Sequence, residues 1–499
     1  MKAIISPPIK SPLGPVNAVK YLKRTKIVAT AGPATDDPKV LIEMMKAGLS
    51  VVRLNASHGT RADLKRRLDL VRAVAAEAGE IVALLLDLSG PKIRIEGFAN
   101  GPIQLEEGAA FALDTALDPK GGDINVVGTA YKNLPHDVVS GDVLLLSDGQ
   151  IVLDVVAVEG TRIHTRVKVG GALSDRKGLN RQGGGISAPA LSDKDRDDIR
   201  FAAEERVDYV AVSFARDAAD IKLARRLVRE AGGDARIVAK IERHEAITNL
   251  DAIIEASDVV MVARGDLGVE MGYAEVTSLQ KTIIHRSRAL YRVVITATQM
   301  MESMIQNPVP TRAEVSDVAN AVMDGTDAVM LSAETATGRY PLKAVEAMAD
   351  VIRGAEKYQF GHSRPRQRDD GSMFLGTEEA IAMAVMYTAN HMDVKAIVAL
   401  TETGATTLWM SRLRSDIPIY AFSRNETTGR RVTMYRGVFP VLFDVVGCKT
   451  EEALYNAIFA RLLELELVRQ GDLVIVTKGE LSGVQGGTNS MRILKVILT

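Results

Sequence analysis

Lys240 and Glu242 stand two positions apart in Ala239-Lys-Ile-Glu242, and Asp266 follows in Ala263-Arg-Gly-Asp266. On an extended strand, residues i and i+2 share a face, so Lys240 and Glu242 point the same way. If the two runs end adjacent strands, Glu242 and Asp266 can converge. Two carboxylates with open coordination positions suit Mg²⁺ or Mn²⁺, which keep waters and accept phosphate or carboxylate oxygens. A lysine beside them offers fixed positive charge to a transferring phosphoryl group or a developing enolate. A bland alternative exists: a salt-bridged lysine and acid at a strand end. Gly265 argues against it, because a glycine there lets backbone N–H groups approach an anion.

Such residues need strands to present them. Eight short apolar runs fit that role: Lys26–Thr30, Val51–Leu54, Val82–Asp87, Tyr209–Ser213, Ile237–Ile241, Val259–Ala263, Val293–Ala297 and Ala328–Leu331. They are rich in Val, Ile and Ala without alternation, as expected of parallel strands buried on both faces. Amphipathic segments separate them. One is expected from Thr35 to Gly48 and another from Arg61 to Gly79, while Ser192 with Asp195 and Thr311 with Glu314 read as capping boxes. Repeated strand–helix alternation predicts an α/β fold, a (β/α)8 TIM barrel. In such barrels the working residues come from the C-terminal ends of the strands. Those ends are polar here in every case: Thr30, Arg53 with Asn55, Asp87, Ser213, Lys240 with Glu242, Arg264 with Asp266, Thr298, and Ser332 with Glu334.

The third unit is interrupted by a stretch too long for a βα loop. Residues 96–188 carry Val143–Leu146, Ile151–Val158 and Arg162–Val169 between Asp-Gly, Glu-Gly and Gly-Gly turns, which predicts an inserted small β-barrel lid domain. The expected domains are therefore an N-terminal extension (1–21), a barrel (22–95 and 189–358), the lid (96–188) and a C-terminal open α/β domain (359–499). The last opens with a polar linker, Gly361–Ser372, and continues as helix Thr377–His391, strand Ala396–Leu400, a helix, strand Ile419–Phe422 and strand Leu473–Thr477.

The charges nearly cancel, 62 basic against 63 acidic residues, which argues against nucleic-acid or membrane-surface binding as the main activity. A single cysteine, Cys448, excludes a disulfide framework and fits a reducing, cytoplasmic compartment. With 7 scattered histidines, no His/Cys metal cluster is visible. No run reaches membrane-spanning length. The methionine pair Met300-Met301 and Trp409 read as packing residues.

Ile237-Val-Ala-Lys-Ile-Glu242 and Met261-Val-Ala-Arg-Gly-Asp-Leu-Gly268 resemble the signature region of the pyruvate kinase family. Leu54-Asn-Ala-Ser-His-Gly59, Thr296-Ala-Thr-Gln-Met-Met-Glu302, Pro310-Thr-Arg-Ala-Glu314, Asp317-Val-Ala-Asn-Ala321 and Leu331-Ser-Ala-Glu-Thr335 are similar to further motifs of that family. The resemblance spans about residues 22–499. It implies transfer of the phosphoryl group of phosphoenolpyruvate to ADP, giving pyruvate and ATP. It also implies that Glu242 and Asp266 hold Mg²⁺, with Mn²⁺ as a substitute, and that Lys240 stabilises the phosphoryl group and the enolate. Gly265, Asp266 and Thr298 would receive the substrate carboxylate, and Arg53 its phosphoryl group. Thr298, Ser332 and Glu334 would line the route of the proton to the enolate. Thr30, Pro33, Asn55, His58 and Arg94, with Lys177 on the lid, would bind the nucleotide.

One position departs from the common family pattern. Many members hold K⁺ at the positions of Asn55, Ser57, Asp87 and the Leu88 carbonyl and carry a glutamate in the following loop. This chain has Lys92 where that glutamate would sit. A tethered ammonium can replace a monovalent cation, so the expectation is activity without K⁺. In the C-terminal domain, Thr401, Thr403, Gly404, Thr406 and Thr407 form a hydroxyl-rich turn after a strand, similar to the family's effector phosphate loop. Glu402 inside it would repel a second phosphate, which favours a sugar monophosphate or AMP over a bisphosphate as allosteric activator. The family resemblance further implies a homotetramer. Two other readings stay open from the residues: a Schiff-base pyruvate aldolase using Lys240 on a TIM barrel, and a non-catalytic metabolite-binding barrel.

Overall fold

The computed structural model describes residues 23–362, 374, 376–413, 415–445, 448, 450–479 and 487–498. The expected N-terminal extension and linker residues 363–372 lie outside them. Eight parallel strands close into a barrel in sequential order: Lys26–Thr30, Leu49–Asn55, Ala83–Asp87, Tyr209–Val212, Arg236–Ile241, Val259–Ala263, Val293–Ala297 and Ala328–Leu331. Their burial is almost continuous, as their unbroken apolar composition requires. Register places Thr30 opposite Arg53 and Ala29 opposite Leu331, and sets Lys240 beside Met261.

The helices start where side chains can satisfy their first N–H groups. Thr60 with Asp63, Ser192 with Asp195 and Thr311 with Glu314 form reciprocal capping boxes, and Gly79 and Gly325 end two of these helices in the left-handed conformation. One expected start moves. The first helix runs over Pro38–Lys46 from the Asp37 cap, and Pro33–Thr35 forms a separate 3-10 turn. Asp37 wins because its carboxylate accepts from Lys39 N and Pro38 is already fitted to a first helical position.

Residues between the third and fourth barrel strands build the insert. Its strands form a six-stranded sheet, ordered Leu179–Arg181, Val143–Leu146, Ile151–Glu159, Arg162–Val169, Ala110–Asp114 and Val126–Gly128. A two-stranded ribbon, Ile103–Leu105 with Gly171–Leu173, completes it. Phe111, Leu144, Leu153, Ile163 and Leu173 share one core.

The C-terminal segment is a five-stranded sheet in the order Val438–Leu442, Ile419–Ser423, Val394–Leu400, Leu473–Gly479 and Thr488–Lys495. Neither outer strand is among those expected from the sequence. Val438–Leu442 contains Pro440, which an edge strand tolerates and a central one does not. Thr488–Lys495 is largely polar and pairs antiparallel, so it lacks the apolar run that marks the other strands.

The chain divides into two compact units, Met1–Leu86 with Val207–Tyr209 and Tyr291–Thr499, and Asp87–Arg206 with Val210–Leu290. The strand-end residues fall into one group in each.

Candidate active site

In the unit that contains the insert, Lys240 organises the strand ends. Its ammonium donates to Ser213 Oγ at 2.7 Å and lies 2.8 Å from Glu242 Oε1 and 3.3 Å from Asp87 Oδ1. The two acids are buried, and an ammonium with three donors matches this set of acceptors. Glu242 Oε2 accepts from Phe214 N at 2.7 Å. Phe214 reaches it by adopting φ +56°, an unfavourable conformation for a bulky residue. Ser213 Oγ also donates to Leu88 O at 2.8 Å, which holds the loop after the third strand against the fourth. Burial pushes the Glu242 carboxyl above its ordinary range; Lys240 opposes that shift and the like charge of Asp266 adds to it.

Asp266 lies in the first turn of the helix Arg264–Met271, which starts directly after the sixth strand. Gly265 shares that turn, at the positive end of the helix dipole. Asp266 Oδ1 accepts from Lys92 Nζ at 3.0 Å, and Lys92 lies 3.7 Å from Asp148 of the insert. Burial pulls the Lys92 ammonium down, but Asp266 and Asp148 hold it above its ordinary value. Lys92 thus faces the second carboxylate of the trio. Of the expected K⁺ region, Asp87 contacts Lys240 in this unit, and the Leu88 carbonyl contacts Ser213.

Arg94, just before the insert, forms an antiparallel bridge with Gly178. Its guanidinium donates to Arg176 O at 2.9 Å. Lys177 is half-buried, and its carbonyl accepts from Ile95 N at 3.0 Å.

The other unit carries a second group. Arg53 is buried and donates to Thr30 Oγ1 at 2.9 Å, while the Thr30 hydroxyl donates to Leu331 O at 2.9 Å. Thr335 Oγ1 accepts from Thr30 N at 3.0 Å and donates to Thr30 O at 2.9 Å. Thr30 therefore positions Arg53. Glu334 is buried, and its oxygens accept from Met301 N at 3.2 Å and Ser332 N at 2.7 Å. It ties together the loops that leave the seventh and eighth strands. Thr298 and Gln299 in the first of these loops have φ +68° and +53°. For a β-branched residue that is a true outlier, the kind of strain that persists where a site demands it. Asn55 Oδ1 accepts from Ser57 N at 3.1 Å, so it shapes the turn that exposes Ser57 and His58. Pro33 begins the 3-10 turn after the first strand.

The expected effector loop opens the helix Ala405–Arg412, with Gly404 at φ +83°. Thr401 Oγ1 accepts from Gly404 N at 2.9 Å, and Thr403 Oγ1 from Ala405 N at 3.4 Å. Thr406 and Thr407 are buried, against Thr488 and Gly404 O respectively. Glu402 pairs with Arg424 at 3.3 Å, a contact that sequence reasoning misses. It also misses Phe214, Asp148 and the positioning role of Thr335. Phe214 acts through its backbone, which no residue type announces. Met300 and Met301 are fully buried, as expected of packing residues, and Trp409 packs at a tilt on Tyr291, 4.5 Å between ring centroids.

A family model described as the pyruvate kinase barrel domain matches residues 22–345, and one for the pyruvate kinase alpha/beta domain matches residues 379–494. The chain belongs to the pyruvate kinase family. It is 53% identical over 487 residues to Pyruvate kinase II of Salmonella typhimurium, covering 96% of this chain and 99% of that one. A pyruvate kinase of Haemophilus influenzae is 52% identical over 483 residues, with 96% and 99% coverage. The crystal structure of a pyruvate kinase from Cryptosporidium parvum aligns with a TM-score of 0.87 at 33% identity, covering 96% of this chain and 97% of that one. The enzyme is a phosphotransferase that moves the phosphoryl group of phosphoenolpyruvate to ADP, giving pyruvate and ATP. No described helix is long and apolar enough to cross a membrane.

Proposed function

We propose that both groups of strand-end residues serve this one reaction. The observation that carries the reading is the set of three acceptors around the Lys240 ammonium, two of them buried carboxylates. Lys240, Arg53, Thr298, Ser332 and Glu334 form the catalytic set. Arg53, Lys240, Gly265, Asp266 and Thr298 bind phosphoenolpyruvate. Thr30, Pro33, Asn55, His58, Arg94 and Lys177 serve the nucleotide. Thr30 also holds Arg53 in place for the phosphoryl group. Glu334 holds the two loops through the backbone N–H groups of Met301 and Ser332, and Thr298, Ser332 and Glu334 together line the route of the proton to the enolate.

Glu242 and Asp266 fit a hard divalent cation. They are two oxygen-donor carboxylates, and both burial and the like charge of Asp266 raise the Glu242 pKa, which a bound cation would relieve. Mg²⁺ bound there would neutralise the substrate's carboxylate and phosphate charge. Lys240 and Arg53 would then supply the fixed charges that hold the phosphoryl group in line. The functional division follows the boundaries read from the sequence: barrel 22–95 and 189–358, insert 96–188 as lid, and 359–499 as regulatory domain.

Lys92 takes the place of K⁺ in this proposal. Its ammonium is held charged by Asp266 and Asp148, which keeps a permanent cation at the mouth of the metal pair. Initial rates with K⁺ exchanged for tetramethylammonium are expected to stay within about twofold of those in K⁺, since a tethered charge needs no free ion. Loss of most activity would refute this.

The 401–407 turn is the proposed site of a phosphorylated activator. The Arg424–Glu402 pair is exposed and worth little, so Arg424 can turn to one phosphate while Glu402 opposes a second. In a rate titration at low phosphoenolpyruvate, ribose 5-phosphate or AMP should activate more strongly than fructose 1,6-bisphosphate. Activation by the bisphosphate alone would overturn the argument. A homotetramer in the cytoplasm completes the proposal, with the effector signal crossing subunit interfaces.

A further inference from the structure

The insert returns to the barrel through residues 182–187, which include Gly183, Gly184 and Gly185 at φ +80°, +79° and +90°. Three successive left-handed glycines make a segment with little conformational preference of its own, so neighbouring groups must decide its course. Those neighbours are specific. Glu245 Oε1 accepts from Gly185 N at 2.6 Å, and a Cβ on Gly184 would stand 2.9 Å from Glu245 Cδ. Arg243 pairs with Glu245 at 3.1 Å and donates to Ile186 O at 2.9 Å. Arg181, at the start of the segment, pairs with Asp142 at 2.9 and 2.8 Å and caps Gly184 O at 3.1 Å. Glu270 accepts from His244 N at 2.9 Å.

Arg243, His244 and Glu245 directly follow Glu242 in the chain, and Glu270 sits on the helix that carries Asp266. The elements that bear both proposed metal ligands are thus the elements that grip the hinge. Nothing in the phosphoryl transfer itself uses Arg243 or Glu245, yet Arg243 is buried with its donors directed at Glu245 and the hinge carbonyl of Ile186.

We propose that the Arg243–Glu245 pair is a latch on the glycine hinge, setting the angle of the insert and through it the placement of Lys177 at the nucleotide. Glu245 is then a positioning residue for ADP. The nucleotide part rests on the assignment of Lys177 made above; the latch itself does not.

The test uses full-length enzyme carrying Glu245→Ala or Glu245→Gln, with trypsin cleavage after Arg181 read alongside steady-state constants. Freeing the hinge in Glu245→Ala should raise that cleavage rate about tenfold with the melting temperature little changed. The KM for ADP should rise about fivefold, the effect of roughly one lost hydrogen bond, with kcat and the KM for phosphoenolpyruvate within about twofold. Glu245→Gln, which keeps an acceptor for Gly185 N but loses the ion pair, should fall between. Unchanged cleavage, or equal loss in both KM values with a large fall in melting temperature, would overturn the latch. Lys177→Met separates the two parts. An ADP KM that does not respond to it overturns the nucleotide role, while the cleavage rates still judge the hinge.

Discussion

Lys240→Met should lower kcat by roughly 10³-fold while the KM for phosphoenolpyruvate moves only a few-fold. The reason is that the ammonium works on charge that develops during the reaction, and a methionine of similar length leaves the ground-state shape almost intact. The same change leaves Asp87 and Glu242 buried without their shared cation. Removing one partner from a buried charge cluster costs about 3 kcal/mol or more, so the melting temperature should fall as well. Mg²⁺ should recover part of that loss, because a divalent ion at Glu242 compensates the same charge. The measurements are initial rates of pyruvate formation and thermal unfolding with and without Mg²⁺. A kcat within tenfold of the parent enzyme would sink the assigned role. Lys240→Arg should not rescue activity, since a planar fork cannot reach three acceptors arranged around a point charge.

Arg412→Met is expected to destabilise the fold by about 3 kcal/mol without touching the chemistry directly. Arg412 ends the helix that begins at the 401–407 turn and forms a buried, two-pronged pair with Asp327, one prong at 2.7 Å. The same guanidinium donates to Arg292 O at 2.8 Å. Asp327 in turn accepts from Val294 N at 2.8 Å, and its carbonyl accepts from Lys26 N at 2.8 Å. One ion pair therefore ties the C-terminal segment to the starts of the first, seventh and eighth barrel strands. Losing the arginine leaves a buried carboxylate unpaired, which costs far more than losing an exposed pair would. Chemical denaturation of Arg412→Met, Asp327→Asn and the double variant checks this. The double variant should lose less than the sum of the singles, because removing both charges leaves nothing unpaired. A loss below about 1 kcal/mol in Arg412→Met would show that the pair is not structurally important.

Much of the barrel is legible in the sequence because its physics is local. A strand buried on both faces must be apolar throughout, and each of the eight runs is continuous enough to be seen. The capping boxes at Ser192 and Thr311 are equally readable, since cap and partner lie three residues apart. Where local signals compete, the reading slips. Asp37 outcompetes Thr35 as a helix cap, and Pro440 disguises an edge strand.

Residue type and spacing are enough to single out Lys240, Glu242 and Asp266 and to set them at strand ends near one another. They are enough for the family too, because its motifs recur along nearly the whole chain. Which charges meet is a matter for the folded molecule. Lys240 is shared among three acceptors from separate strand ends, Phe214 strains its backbone to hold Glu242, and Lys92 reaches Asp266 and Asp148. Most of those partners lie far apart in the chain, and Phe214 acts through its backbone alone. Spacing along a sequence constrains which residues share a face; it carries no information about which distant carbonyl, amide or carboxylate the fold will bring against them.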